Sequence, residues 1–205
     1  MHFCFMNFMV LMIDSQIAGI SGDMILSSLV DLGADKSKII ESIHTAASYL
    51  ENSVIKKIDF ENIRKNGKQS TQLILEIEES VHERKASEIK NCIIKSSEKI
   101  GLSESARNFA VNTIDTLTSA EAKVHGESVE SVHFHEASSV DTVIDILGTA
   151  VALDDLNLFD EEIVCSPVAI GGGSITFSHG TTSNPAYAIL EIFKNSGIRK
   201  YIQNK

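Results

Sequence analysis

Residues 10–33 read VLMIDSQIAGISGDMILSSLVDLG, and this stretch decides the fold class. An apolar run ends on a charged residue at Asp14. Gly19, Ser21 and Gly22 then lead into residues 23–32, whose apolar positions recur with helical spacing. Ser21 is placed to be the N-cap, Asp23 falls in the first turn where the helix dipole favours an acid, and Gly33 supplies a stop. The pattern is strand, loop, helix.

Upstream, residues 1–13 are almost wholly apolar. They are too few for a membrane span, which needs roughly 20 apolar residues. A secretory signal would add a basic segment and a small-residue cleavage site, and neither is present. A buried strand is expected. Met6, Met9 and Met12 leave a later start codon open.

Downstream, a second helix is expected over residues 36–50. A β-hairpin follows within residues 54–77, marked by alternation in TQLILEI and by the Asn66-Gly67 turn. Helices over 85–99 and 104–125 are separated by Gly101, with Ser103 as an N-cap and Gly126 closing the second. Then come an extended stretch over 129–135, a helix over 139–156, strands over 163–169 and 173–177, and a last helix over 185–194. The expected fold is α/β or α+β: a mixed sheet with a β-hairpin and helices packed on it, the hairpin excluding an all-parallel sheet. Residues 1–205 form one domain or two lobes, about 1–80 and 81–205.

The chain has 205 residues, 43% of them hydrophobic, enough to bury a substantial core. Its 28 acidic and 18 basic residues give a formal charge of −10, which repels nucleic acid and favours cations. Cys4, Cys92 and Cys165 are widely spaced and odd in number, so they suggest neither a disulfide framework nor a zinc pair. A reducing, cytoplasmic setting fits, with no membrane partner. Cys92 and Cys165 are expected in the core, and a homo-oligomer is as compatible as a monomer.

Chemistry concentrates between residues 121 and 145. Glu121 and His125 are four apart on one helix face. His133 and His135, two apart on an extended stretch, point to the same side, and Glu136 follows. Asp141 and Asp145 share another helix face. Imidazole with carboxylate suits nickel, zinc, iron or cobalt, and the lack of nearby thiolate argues against a closed structural zinc site. Any one of these side chains alone is more often a cap, a surface residue or a satisfied core group than a ligand; their clustering is the signal. At the first strand-to-helix junction, Gly19, Ser21, Gly22 and Asp23 offer backbone N–H groups to a phosphate, while Asp14 and Asp23 favour a bridging cation. A tight turn capped by Ser21 accounts for the same residues. Gly171, Gly172 and Gly173 permit close approach of a ligand or a simple β-turn.

Several strings in one order carry a family resemblance: GISGDM at 19–24, RKASEI at 84–89, AEAKVHG at 120–126, HFHE at 133–136, Val140-Asp141 followed by VIDI at 143–146, Gly171 to Gly173, His179-Gly180 and Leu190-Glu191. Together they resemble the LarC family, whose members insert nickel into pyridinium-3,5-bisthiocarboxylic acid mononucleotide and consume CTP. The resemblance implies a cytoplasmic nickel chelatase of lyase type in nickel-pincer cofactor biosynthesis. Family members are about twice this long, so the chain resembles the N-terminal half. On this resemblance the chain is either a natural split subunit, its C-terminal half being a separate chain, or a truncated product, and the C-terminal half would bind the nucleotide with Mg2+ or Mn2+. The chain departs from the family at Ala137-Ser138-Ser139, where Val-Gly-Ala is usual, and in a proline-rich stretch reduced to Pro185-Ala186.

On this reading His125, His133, His135 and Glu136 lead as nickel ligands, with Asp141, Glu121 and His179 behind them. Asp14, Ser21, Asp23 and Glu136 are the catalytic candidates. Gly19, Gly22, Gly171, Gly172 and Gly173 would contact the nucleotide-like substrate. Three other readings compete: a non-catalytic metal carrier, a metal-dependent hydrolase with Glu136 as general base, and a structural partner whose histidines merely pack.

Overall fold

A computed structural model describes residues 9–16, 19–65, 67–81, 83–134, 140–177, 180–183 and 185–202. His135, Glu136 and His179 of the candidate ligands lie outside the described residues, as do Asn66 and His82.

The opening segment folds as strand, loop, helix: β1 (Val10–Ile13) leads to α1 (Gly22–Asp31). Ser21 occupies the N-cap in extended geometry, but its hydroxyl donates to Asp23 Oδ1 and makes no side-chain cap to the helix backbone. α2 (Lys36–Ala47) is capped by Asp35, whose carboxylate accepts from Ser37 N at 2.8 Å, and it ends three residues earlier than the spacing suggested. The hairpin is β2 (Ser53–Lys65) and β3 (Lys68–Glu79), antiparallel throughout, with Gly67 in the left-handed region at φ 78°. α1 packs on β3, where Leu73 N donates to Ser27 Oγ at 3.1 Å and Thr71 Oγ1 to Asp31 Oδ1 at 2.9 Å.

A short β4 (Arg84–Lys85) precedes α3 (Ala86–Lys99) and α4 (Glu104–His125), which Ser103 caps through Ala106 N and Gly126 closes at φ 68°. The extended stretch is shorter than expected: β5 (His133–Phe134) pairs antiparallel with β4, while residues 129–131 form a turn. The expected helix over 139–156 is interrupted. α5 (Val140–Val143) passes into a π-helical segment (Ile144–Gly148) before α6 (Thr149–Asp155).

The strand expected over 163–169 is broken in two, β6 (Glu162–Cys165) and β7 (Val168–Ile170). Ser166 leaves the ladder, with its N–H on Ile13 O at 2.9 Å and its hydroxyl accepting from Ser15 N at 2.9 Å, and Pro167 has no N–H to donate. β8 (Ser174–Phe177), β9 (Gly180–Ser183), α7 (Tyr187–Asn195) and β10 (Lys200–Ile202) complete the order. β1 pairs parallel with β6, β10 parallel with β7, and β8 antiparallel with β9. The mixed α/β expectation holds, the pairings being two-stranded among the described residues.

The core is built by the apolar stripes of the helices: Leu26 and Leu29 of α1, Ile39 and Ile43 of α2, Ile89 and Ile93 of α3, and Ile114 of α4 meet Val140, Ile144, Leu147 and Val151. Phe60 and the half-buried Leu73, Leu75 and Ile77 add the inner face of the hairpin. Two expectations of burial fail. Val10 and Met12 of β1 stand exposed because nothing among the described residues covers their side of the β1–β6 pair, and Cys165, opposite Ile13 on the other side, is exposed as well; Cys92 is buried as expected. Among the described residues no helix is long and apolar enough to cross a membrane.

Candidate functional site

The start of α1 meets the π-helical segment at a single close approach. A Cβ placed on Gly22 would lie 2.1 Å from Asp145 Cγ and 2.2 Å from its Oδ2, so the Asp145 side chain rests directly on the Gly22 backbone. One turn on, a Cβ at Gly148 would lie 2.9 Å from Leu26 Cδ2. Two glycines thus let α1 and the π segment approach more closely than side chains allow. The extra residue that a π turn accommodates alters the aim of the side chains around it, and such turns recur at functional sites.

Asp145 is the half-buried member of an acidic group whose other members, Asp23 and Asp141, are exposed. The Asp145 Oδ1 is inaccessible and has no hydrogen-bond partner among the described residues. Burial, then the charges of Asp141 and Asp23, push its carboxyl up to about 7. Asp141 is raised in the same sense, first by burial and then by Asp23 and Glu79. A carboxylate kept from water with like charges around it either holds a proton or needs a cation.

The group is held from the hairpin side. Glu79, at the end of β3, accepts from Arg84 Nη1 at 3.0 Å, from Ser53 Oγ at 2.7 Å and from Val140 N at 3.2 Å. It therefore caps the start of α5, the turn that carries Asp141. Arg84 is buried and also donates through Nη2 to Glu51 O at 2.8 Å.

The sequence candidates fall into separate places. Asp23 belongs to the acidic group. Asp14, exposed, accepts from Gln16 N at 3.0 Å and closes its own turn. Gly19 turns the loop at φ 75° and donates to Ser15 O at 3.2 Å. Glu121 and His125 do share one face of α4, with Nε2 3.4 Å from Oε2, and His125 stands exposed. His133 is half-buried on β5, immediately before the undescribed residues 135–139 that lead to Asp141. Gly172 and Gly173 face open space, Gly173 at φ 102°, in the turn between β7 and β8. No three His, Cys, Asp or Glu side chains among the described residues are arranged to hold a metal ion as they stand.

Sequence reasoning noticed Asp145 only as the partner of Asp141 and overlooked Glu79 and Arg84. The four-residue spacing of the two aspartates was the available signal. The contact of Asp145 with Gly22 is tertiary and leaves no local trace.

Comparison with known proteins fits this chemistry. A family profile described as nickel insertion protein matches residues 11–205. A Staphylococcus saprophyticus protein named pyridinium-3,5-bisthiocarboxylic acid mononucleotide nickel insertion protein is 41% identical over 178 residues, covering 87% of this chain and 43% of the relative. Proteins of the same name from Clostridium kluyveri and Akkermansia muciniphila are 35% and 34% identical, over 86% and 87% of this chain and 45% and 43% of theirs. The chain thus spans less than half the length of these relatives. No solved structure matches. With nearly every position from Leu11 onward inside the matched region, the chain belongs to the nickel insertion protein family.

Proposed function

We propose that this chain takes up a nickel ion where Asp141 and Asp145 face the first turn of α1, with His133, His135 and Glu136 completing the donor set. It would then pass the metal to the sulfur ligands of pyridinium-3,5-bisthiocarboxylic acid mononucleotide, the acceptor that names the relatives. The observation that carries the reading is the Asp145 carboxylate, its Oδ1 buried with no hydrogen-bond partner among the described residues and its Cγ and Oδ2 pressed against Gly22. Nickel is the cargo, so the site has to hold it exchangeably. Carboxylate and imidazole donors suit that task, because they compete weakly with the softer sulfur atoms of an acceptor.

The chain's own residues divide the work. Asp145 and Asp141 supply negative charge in a place of low solvation, which favours a divalent ion over the protons that would otherwise occupy them. Glu79 and Arg84 fix the turn that presents Asp141. Asp23, Ser21, Asp14 and the backbone at Gly19 and Gly22 orient the substrate's phosphate or a bridging cation. Complete insertion would draw on CTP and on the part of the family's proteins that lies beyond the matched region.

Calorimetric titration of the metal-free protein with nickel and with zinc tests the site, repeated on Asp145→Asn and on a His133→Ala/His135→Ala double variant. Nickel binding lost in both variants, with the fold retained, supports the donor set. Binding equal in all three forms sinks it. Mixing the nickel-loaded chain with the mononucleotide, with and without CTP and that further part, then separates an inserting enzyme from a carrier by where the nickel elutes.

A further inference from the structure

The β1–β6 pair is at odds with the physics of parallel sheets. Parallel strands occur almost only where both faces are covered, and isolated two-stranded sheets are marginal in water. Here four residues pair with four, Val10 opposite Glu162 through Ile13 opposite Cys165, and no further strand flanks either among the described residues. The pair is also apolar where it faces water. Met12 is 67% exposed, Val10 50%, Ile163 46% and Val164 41%. In this register Val10 and Met12 share their outer face with Glu162 and Val164, while Leu11 on the inner face packs against the core. Glu162 is the only charge on the pair, in a chain with formal charge −10. Exposed apolar edges of this kind are normally shielded by charge, proline or a covering element.

We propose that the outer face and open edge of the β1–β6 pair form the docking surface for the part of the family's proteins that lies beyond the matched region. The relatives carry more than half of their length beyond the matched region, 43% being covered in two and 45% in the third, so one family-wide occupant is at hand. Its contact segment would be apolar, would add a strand to the open edge and would cover Val10, Met12 and Val164. A second copy of this chain satisfies the surface less well. Two chains of charge −10 repel. A head-to-tail edge contact would leave another edge open and continue as a filament. A different sequence ends the sheet.

The surface lies on β1, whose last residue directly precedes Asp14 and the loop to α1. The surface does not depend on the assignment of the nickel site.

A single-thiol probe tests the proposal. In a Cys4→Ser/Cys165→Ser background, Met12→Cys puts one reactive thiol on the outer face, and buried Cys92 reports that the fold is intact. The probe is prepared in this chain alone and in this chain joined to the unmatched portion of the Staphylococcus saprophyticus relative. Alkylation by N-ethylmaleimide is read peptide by peptide by mass spectrometry. In the joined protein the thiol at position 12 is expected to react slower by about tenfold or more, and Val164→Lys is expected to restore the fast rate. Equal rates in both proteins, with Cys92 protected, overturn the proposal. Slowing in the single chain as its concentration rises, with no further effect of the joined portion, overturns it in favour of a second copy.

Discussion

The backbone of Gly22 and the carboxylate of Asp145 share a gap too small for a methyl group, with 2.1 Å between Asp145 Cγ and the position a Cβ at residue 22 would take. The two residues are far apart in the sequence, and each explains the other. Glycine is required because the aspartate is there, and the aspartate reaches its half-buried place because the glycine lets it in. Gly22→Ala is expected to cost about 2 kcal/mol by overpacking and to abolish nickel binding by displacing the carboxylate. Urea unfolding checks the first effect and calorimetry the second. Adding Asp145→Ala to Gly22→Ala should recover most of the stability and none of the binding; an additive loss would mean the two residues do not press on each other.

The same carboxylate makes stability depend on pH. Its folded value is raised to about 7 from 3.8, so the folded state binds the proton more tightly than the unfolded state does. Its cost to folding is absent below the unfolded value, grows as pH rises between the two values, and is constant above. Allowing for the group's partial contact with solvent, wild type should lose roughly 2 kcal/mol relative to Asp145→Asn between pH 4 and pH 8. Asp141 is raised in the same direction, so a shallower slope remains in the variant. Nickel added at pH 8 should restore stability to wild type and leave Asp145→Asn unchanged. Parallel stability curves for the two proteins would remove the case for a buried proton.

Arg84 and Glu79 are a buried pair at 3.0 Å, and their removal should be felt at a distance. Arg84→Met leaves Glu79 charged and poorly solvated, at an expected cost of about 3 kcal/mol. Glu79→Gln keeps an acceptor for Val140 N and should cost about 1 kcal/mol. Both are expected to weaken nickel binding, because the turn bearing Asp141 loses its fixed start. A positioning role is marked by weaker binding in Glu79→Gln at nearly unchanged stability; loss of stability alone would mark the pair as structural only.

Much of this architecture was legible because it is local. The strand, loop and helix over residues 10–33, the Ser103 cap, the Gly126 stop and the alternation in β3 each depend on a few neighbouring residues, and all appear where the pattern put them. Short elements without an apolar rhythm were not legible: β9 reads GTTS and β10 is three residues long. The π segment was hidden for a different reason. Val140 to Asp155 is apolar enough on every side to read as an ordinary helix, and only packing against Leu26 and Ile43 fits the wider turn. Burial of β1 was overestimated because apolar content says that a strand wants cover but not whether the chain supplies it. In the site, the Asp141–Asp145 spacing could be read, whereas the Glu79 cap and the Gly22 contact are tertiary.

Gly148 separates the fit of the site from the stability of the fold. A methyl group there would meet Leu26 Cδ2 at 2.9 Å and Ile43 Cδ1 at 3.6 Å, both tips of side chains rather than backbone. Alanine in a helical position gains up to about 1 kcal/mol over glycine, and a shift of a few tenths of an ångström in a packed core costs a similar amount. The two nearly cancel, so Gly148→Ala should change unfolding stability by less than about 1 kcal/mol. The displacement itself does not cancel. Leu26 belongs to α1, four residues beyond Gly22, so moving it tilts the helix whose first turn faces Asp145. Nickel affinity is therefore expected to fall about threefold to tenfold, the effect of roughly 1 kcal/mol, and to recover when Leu26→Val makes room. Unchanged affinity, measured by calorimetry beside a normal unfolding curve, would mean that the close approach of α1 and the π segment serves packing alone and that Asp145 does not require this geometry to bind its ion.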